Sequence, residues 1–169
     1  MLDRDPKIIA RNRVRDEWTK ANTPLADDPR FHTGWYDYGS EDPQVTFTNA
    51  EESTVNGGDT GVTAGTGSGG TANVRAGTLL ANCWAGTRDD CSDVGVGGAR
   101  VNPKEVAYQL AVELANILDG RGTTNPDTGD QELLSLAADG SRGVVDTDGE
   151  APIYREEVTV RYTYAETKE

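Results

Sequence analysis

His32 is the only histidine in 169 residues, and Cys83 and Cys91 are the only cysteines. A Ser-His-Asp relay would have to pass through His32, and no serine sits in a Gly-x-Ser-x-Gly elbow. Structural zinc is excluded, because Cys83 and Cys91 lack the knuckle spacing and no second ligand pair exists. Two readings stand for the thiols: a disulfide closing the loop from Trp84 to Asp90 in an oxidising medium, or two reduced thiols near a strand end. Gly65-Thr66-Gly67-Ser68-Gly69-Gly70 fits the letter of G-x-G-x-x-G. A dinucleotide site needs that motif between a strand and a helix, whereas the residues that follow, Ala72 to Leu80, read as a strand. Asp146-Thr147-Asp148-Gly149-Glu150 resembles a fragment of a calcium loop. Its third acid is missing and its twelfth position, Glu157, already belongs to the terminal strand, so a solvated acidic turn is the simpler reading. Accidental carboxylate pairs are guaranteed among 29 acids, and no P-loop, HExxH or CxxC motif occurs. The expectation is a protein that is not an enzyme and carries no catalytic residues, no cofactor and no metal.

The net charge is −13, from 17 Asp and 12 Glu against 12 Arg and 4 Lys. A protein that grips nucleic acid shows a basic footprint, so that class is disfavoured. Leu, Ile, Val and Phe number only 30 of 169, a proportion that with this charge would permit disorder. Three Trp, six Tyr and clear helix and strand periods favour a folded domain instead. Abundant Asp, Glu, Thr, Gly and Ala, with Arg three times commoner than Lys, match a protein adapted to multimolar salt, where carboxylate repulsion is screened over ~3 Å at 1 M. The first twenty residues hold no apolar run of signal-peptide length, and no run of eighteen apolar residues occurs anywhere. Neither export by a signal peptide nor a membrane span is expected.

The elements that would position any site are legible in outline. Asp5 and Pro6 open a helix in which Ala10, Val14 and Trp18 form one narrow apolar stripe. Residues 1–20 also hold the one basic stretch, six Lys or Arg against four acids, which leaves −15 for the rest. Phe31 to Tyr38 and Gln44 to Thr48 read as two strands around a turn from Gly39 to Pro43, with His32 as a strand residue and not a ligand. Residues 49–73 are dominated by Gly, Ser and Thr and read as a long loop or hairpin arm. Val74 to Ala85 reads as a central strand. Asn102-Pro103-Lys104-Glu105 caps a helix to Asp119, whose stripe includes Val106, Leu110, Leu114 and Leu118, with Gly120 as its C-cap. Gln131 to Leu136 is a short strand or helical turn, and Val144-Val145 a brief pairing. Ile153 to Tyr164 is a half-buried strand with Val158, Val160, Tyr162 and Tyr164 on one face. The chain is expected to form a single α+β domain over 1–169. Its core is an antiparallel or mixed sheet of four to five strands, with an N-terminal helix and a second helix packed on one face.

The helix near Ile8-Ile9-Ala10, the strand Gly77 to Ala85, the Ala/Leu-rich helix Glu105 to Leu118 and the closing strand Glu157 to Tyr164 come in an order that resembles the tail terminator, or tail completion, proteins of long-tailed viruses. The 49–73 insertion and the loop from Cys83 to Gly98 depart from that layout. The resemblance implies a virion protein of the neck, assembled in the host cytoplasm as a homo-oligomer, a hexameric ring. It would cap the tail tube protein and meet a head-completion or connector protein, with viral DNA passing transiently and non-specifically through an acidic lumen. Combined with the composition, it points to a virus of haloarchaea. Candidate subunit or partner contacts are Arg11, Arg13, Arg15, Trp35, Tyr36, Tyr38 and Arg161. A head-completion (stopper) or other minor neck or tail protein, a haloarchaeal acidic enzyme and a calcium-binding domain are the alternatives.

Overall fold

A computed structural model describes residues 2–18, 28–40, 43–53, 72–86, 102–146 and 153–167. The elements are α1 (Pro6–Glu17), β1 (Arg30–Thr33), β2 (Gln44–Ser53), β3 (Ala72–Gly86), α2 (Pro103–Ile117), β4 (Thr123–Thr124), β5 (Gln131–Leu133), β6 (Ser135–Asp146) and β7 (Ile153–Thr167). They make an α+β fold: a five-stranded sheet in the order β1-β2-β3-β7-β6, with β4 and β5 as a separate small pair. The sheet is mixed, since β1 and β2 run parallel while every other pairing within it is antiparallel. No helix among the described residues is long and apolar enough to cross a membrane.

Both helices begin as their caps dictate. The Asp5 carboxylate accepts from the Lys7 amide at 2.9 Å, and the Asn102 side chain accepts from the Lys104 amide at 2.9 Å, each followed by a proline in the first turn. Ile9, Ala10 and Val14 of α1 and Val106, Leu110, Leu114 and Ile117 of α2 are buried in one core. The sheet meets them with alternate residues only: Val45 and Phe47 of β2, Leu79, Ala81, Cys83 and Ala85 of β3, and Val158, Val160, Tyr162 and Tyr164 of β7. The period-two pattern of the terminal strand therefore points at the helices as expected. Cys83, within this core, is a free thiol held well above its usual range by burial first and by the Glu156 carboxylate second.

Several local expectations are corrected. Residues 35–38 are not strand: β1 ends at Thr33, and Gly34, at φ +105°, turns the chain away. β1 and β2 are thus parallel neighbours and not two arms of a hairpin, because the intervening segment crosses over one face of the sheet before β2 begins. The ends of the 49–73 segment belong to strands, 49–53 to β2 and 72–73 to β3, after a bulge that shifts register between Thr48 and Glu51 and holds Asn49 at φ 53°. α2 stops at Ile117, with Leu118 as its cap; Gly120, at φ +96°, lies beyond and donates its amide to Leu136 O at 3.0 Å. Residues 54–71, including the Gly65 to Gly70 motif, residues 87–101, including Cys91 and its candidate disulfide, and residues 147–150 of the acidic turn lie outside the described residues.

Candidate interaction surface

The face of the sheet turned away from the helices is polar, and much of it is buried. Gln44 and Thr46 of β2 and Asn82 of β3 are fully covered. Buried polar groups need partners, and here they bond to one another. Trp84 Nε1 donates to Thr46 Oγ1 at 2.9 Å, Asn82 Nδ2 to Thr48 Oγ1 at 3.1 Å, and Arg155 Nη1 to Asn82 Oδ1 at 3.0 Å and to Glu157 Oε2 at 2.8 Å. Arg142 Nε extends the ladder to Glu157 Oε1 at 3.1 Å. Four strands, β2, β3, β7 and β6, are cross-linked in this way across their width.

The segment after Gly34 lies on this ladder. Gln44 clamps its backbone from both sides, accepting from the Asp37 amide at 3.0 Å and donating to Asp37 O at 2.7 Å. Because Gln44 is itself buried in the sheet, the clamp fixes the loop to a rigid element. Three aromatic residues follow from that placement. Trp35 meets Trp84 edge-on at 5.0 Å, Tyr36 lies 5.1 Å from Trp84, and Tyr38 stacks edge-on against Tyr36 at 4.9 Å. Arg155 places its guanidinium 4.9 Å from the Trp35 ring and 5.2 Å from that of Trp84. Ring pairs contribute ~0.5–1.5 kcal/mol each and a cation over a ring ~0.5–2 kcal/mol. Trp35 and Tyr38 nonetheless keep 49% and 58% of their surface in solvent.

Of the residues singled out from sequence, Trp35, Tyr36 and Tyr38 are thus brought together, with Tyr36 buried against Trp84 and Tyr38. Arg161 lies on the same sheet face, exposed and paired with Asp139 at 2.5 Å. The α1 arginines stand on the helical layer, across the sheet. Arg11 bonds to Asn12 Oδ1 at 2.9 Å, and Arg15 makes an exposed pair with Asp16 at 3.1 Å. Arg13 turns inward to Ile117 O at 3.1 Å, Arg121 O at 2.6 Å, Asp119 at 2.9 Å and Glu17 at 3.1 Å. It fastens α1 to the end of α2. Asp119 is held below its usual range by the Arg121 amide first and then by the Arg121 and Arg13 guanidinium groups.

Sequence reasoning missed Gln44, Trp84 and Arg155 as parts of this surface. It also missed a second exposed patch, Tyr108, Val112 and Ala115 on α2, whose spacing of four and three residues was the available signal. With Ala111, Ala138 and Val158, this patch lines a groove of about 150 Å³ between α2 and β6. A larger cleft of about 690 Å³ joins the N-terminal segment to the turn at 125–132 and to the end of β7. Its walls carry Asp3, Asp130, Glu132 and Glu166, with Arg4 paired to Glu132 at 3.2 Å. Among the described residues no cluster of His, Cys, Asp or Glu is arranged to hold a metal. What the aromatic surface can do chemically is stack, exclude water and present a guanidinium-backed ring, which are the properties of a protein contact point. No protein-family model matches the chain, and no curated protein matches it.

Proposed function

We infer that the protein is a structural component of the neck of a long-tailed virus, a hexameric ring that terminates the tail tube and meets the head-completion or connector proteins. The observation that carries the reading is the clamped loop of Trp35, Tyr36 and Tyr38. The Trp35 and Tyr38 rings, kept half in solvent on a backbone locked by Gln44, cost little to order when a partner arrives, which is how contact hot spots gain affinity. The order of helix, strands, helix and closing strand is the layout on which the resemblance to tail terminators rests. A charge of −13 suits a virion component of a halophilic host, and a ring lined by acids lets DNA pass without holding it. In multimolar salt, light scattering after size exclusion is expected to give six chains per particle, with six-fold rings in electron micrographs. Monomer at every salt and protein concentration would overturn the reading.

A further inference from the structure

We propose that Asp139-Gly140 is a site of spontaneous covalent modification, where the folded chain isomerises to isoaspartate, while the same dipeptide at Asp119-Gly120 is protected by its contacts. The inference stands on these residues alone and does not depend on the neck reading.

An aspartate followed by glycine is open to this reaction because no Cβ hinders the approach of the amide to the carboxyl. The Gly140 nitrogen attacks Cγ of Asp139, the amide proton and the carboxyl hydroxyl leave as water, and a five-membered succinimide remains. Water then opens the ring at one of its two carbonyls. Opening at Cγ restores aspartate. Opening at the main-chain carbonyl leaves the backbone running through Cγ, with the carboxylate directly on Cα and its reach toward Arg161 shortened. One water is released and one is taken up, and the net charge is unchanged.

Asp-Gly occurs at 119, 139 and 148, and the first two pairs lie among the described residues. Both glycines have positive φ, +96° at Gly120 and +88° at Gly140, and both carboxylates reach solvent, with 40% and 51% of the side chain exposed. Their bonding separates them. Asp119 Oδ1 accepts from Arg13 Nη2 at 2.9 Å, from the Arg121 amide at 3.1 Å and from Arg121 Nε at 3.0 Å, and Oδ2 accepts from Arg121 Nε at 2.7 Å. The Gly120 amide, which would have to attack, donates to Leu136 O at 3.0 Å. Ring closure at 119 has to break this set. The Asp139 carboxylate meets only Arg161, through Oδ2 at 2.5 Å, and the Arg161 side chain is itself 69% exposed.

The backbone adds a second difference. Asp139 and Gly140 are the bulge of β6, standing between the pairs Ala138 with Val160 and Ser141 with Val158, on a strand at the end of the sheet order. Neither has a register partner on β7, so turning the Asp139 side chain onto the next amide displaces no paired residue. A strand that already carries an extra residue there accommodates one more backbone carbon.

Ageing the folded chain tests the assignment, because trypsin puts each Asp-Gly in its own peptide: Glu105–Arg121, Gly122–Arg142 and Gly143–Arg155. In multimolar potassium chloride at neutral pH, isoaspartate identified by electron-transfer fragmentation should accumulate in Gly122–Arg142 at least about tenfold faster than in Glu105–Arg121, the factor that a single lost charged hydrogen bond can supply. In a chain unfolded by urea the two rates should converge. Equal rates in the folded chain would overturn the proposal, and so would a difference that persists in urea, which would belong to the local sequence and not to the fold. Asp139→Glu keeps the charge but cannot close the five-membered ring, and should abolish the signal in Gly122–Arg142. Isoaspartate that still forms in that variant's peptide would place the reaction at Asp127 or Asp130, against the assignment to Asp139.

Discussion

Arg13 belongs to the one basic stretch of the sequence, yet its guanidinium is spent inside the chain, on two carbonyls and two carboxylates that tie α1 to the end of α2. Hydrogen bonds of this charged kind contribute about 1.5–3 kcal/mol, so Arg13→Ala is expected to lower unfolding stability by roughly that amount at neutral pH, read from denaturant titrations. The difference should narrow in acid. The Asp119 pKa is depressed in the folded state, so its contribution is present above the unfolded value of 3.8 and is lost as pH falls through the folded one. A gap between the two proteins that stays constant well below that value would mean that Arg13 acts through packing alone. A basic residue on a predicted surface helix reads either as a docking contact or as one member of an ion pair within its own solvated face. Only the contact between Arg13 and residues a hundred positions later shows otherwise, and that contact has no local signature.

At the scale of elements, β3 and β7 fit closely where the end of the Tyr162 ring lies over Gly77. A Cβ at position 77 would stand 2.3 Å from both Cζ and the hydroxyl of Tyr162, which is fully buried and has nowhere to swing. Gly77→Ala is therefore expected to cost about 1–3 kcal/mol or more, visible as a lowered midpoint of thermal or denaturant unfolding; an unchanged midpoint would show that the strands part easily. The elements most legible in the sequence, α2 and β7, are those whose instructions are local. Asn102 and Pro103 start the helix and alternating Val and Tyr mark the strand, and both survive into the fold. The crossing at 34–40 was misread because alternating aromatic residues look like a strand until Gly34 and the Gln44 clamp are seen, and the clamp acts from the next strand. The stacking of Arg155 on Trp35 depends on β7 lying beside β3, a pairing between segments about seventy residues apart that no window of sequence contains.

For the molecule as a whole, a charge of −13 repels itself in dilute buffer, where the Debye length is ~10 Å at 0.1 M, and much less at ~3 Å in 1 M. Stability should rise with potassium chloride. A gain of roughly 2 kcal/mol would appear as about 4–8 °C in melting temperature for a chain of this size, and a temperature that is flat or falling with salt would remove the halophilic reading. The sheet order also carries a consequence for how the chain is made. Strand β7 is the last element in sequence but an interior strand in space, bonded along its length to β3 on one side and to β6 on the other. On a ribosome, β3 and β6 emerge without their shared neighbour, and the apolar face that α2 covers is incomplete until Ile153–Thr167 has been added. The sheet therefore closes only once β7 has been made, and a nascent chain halted before β7 exposes two bare strand edges to every other copy being translated nearby.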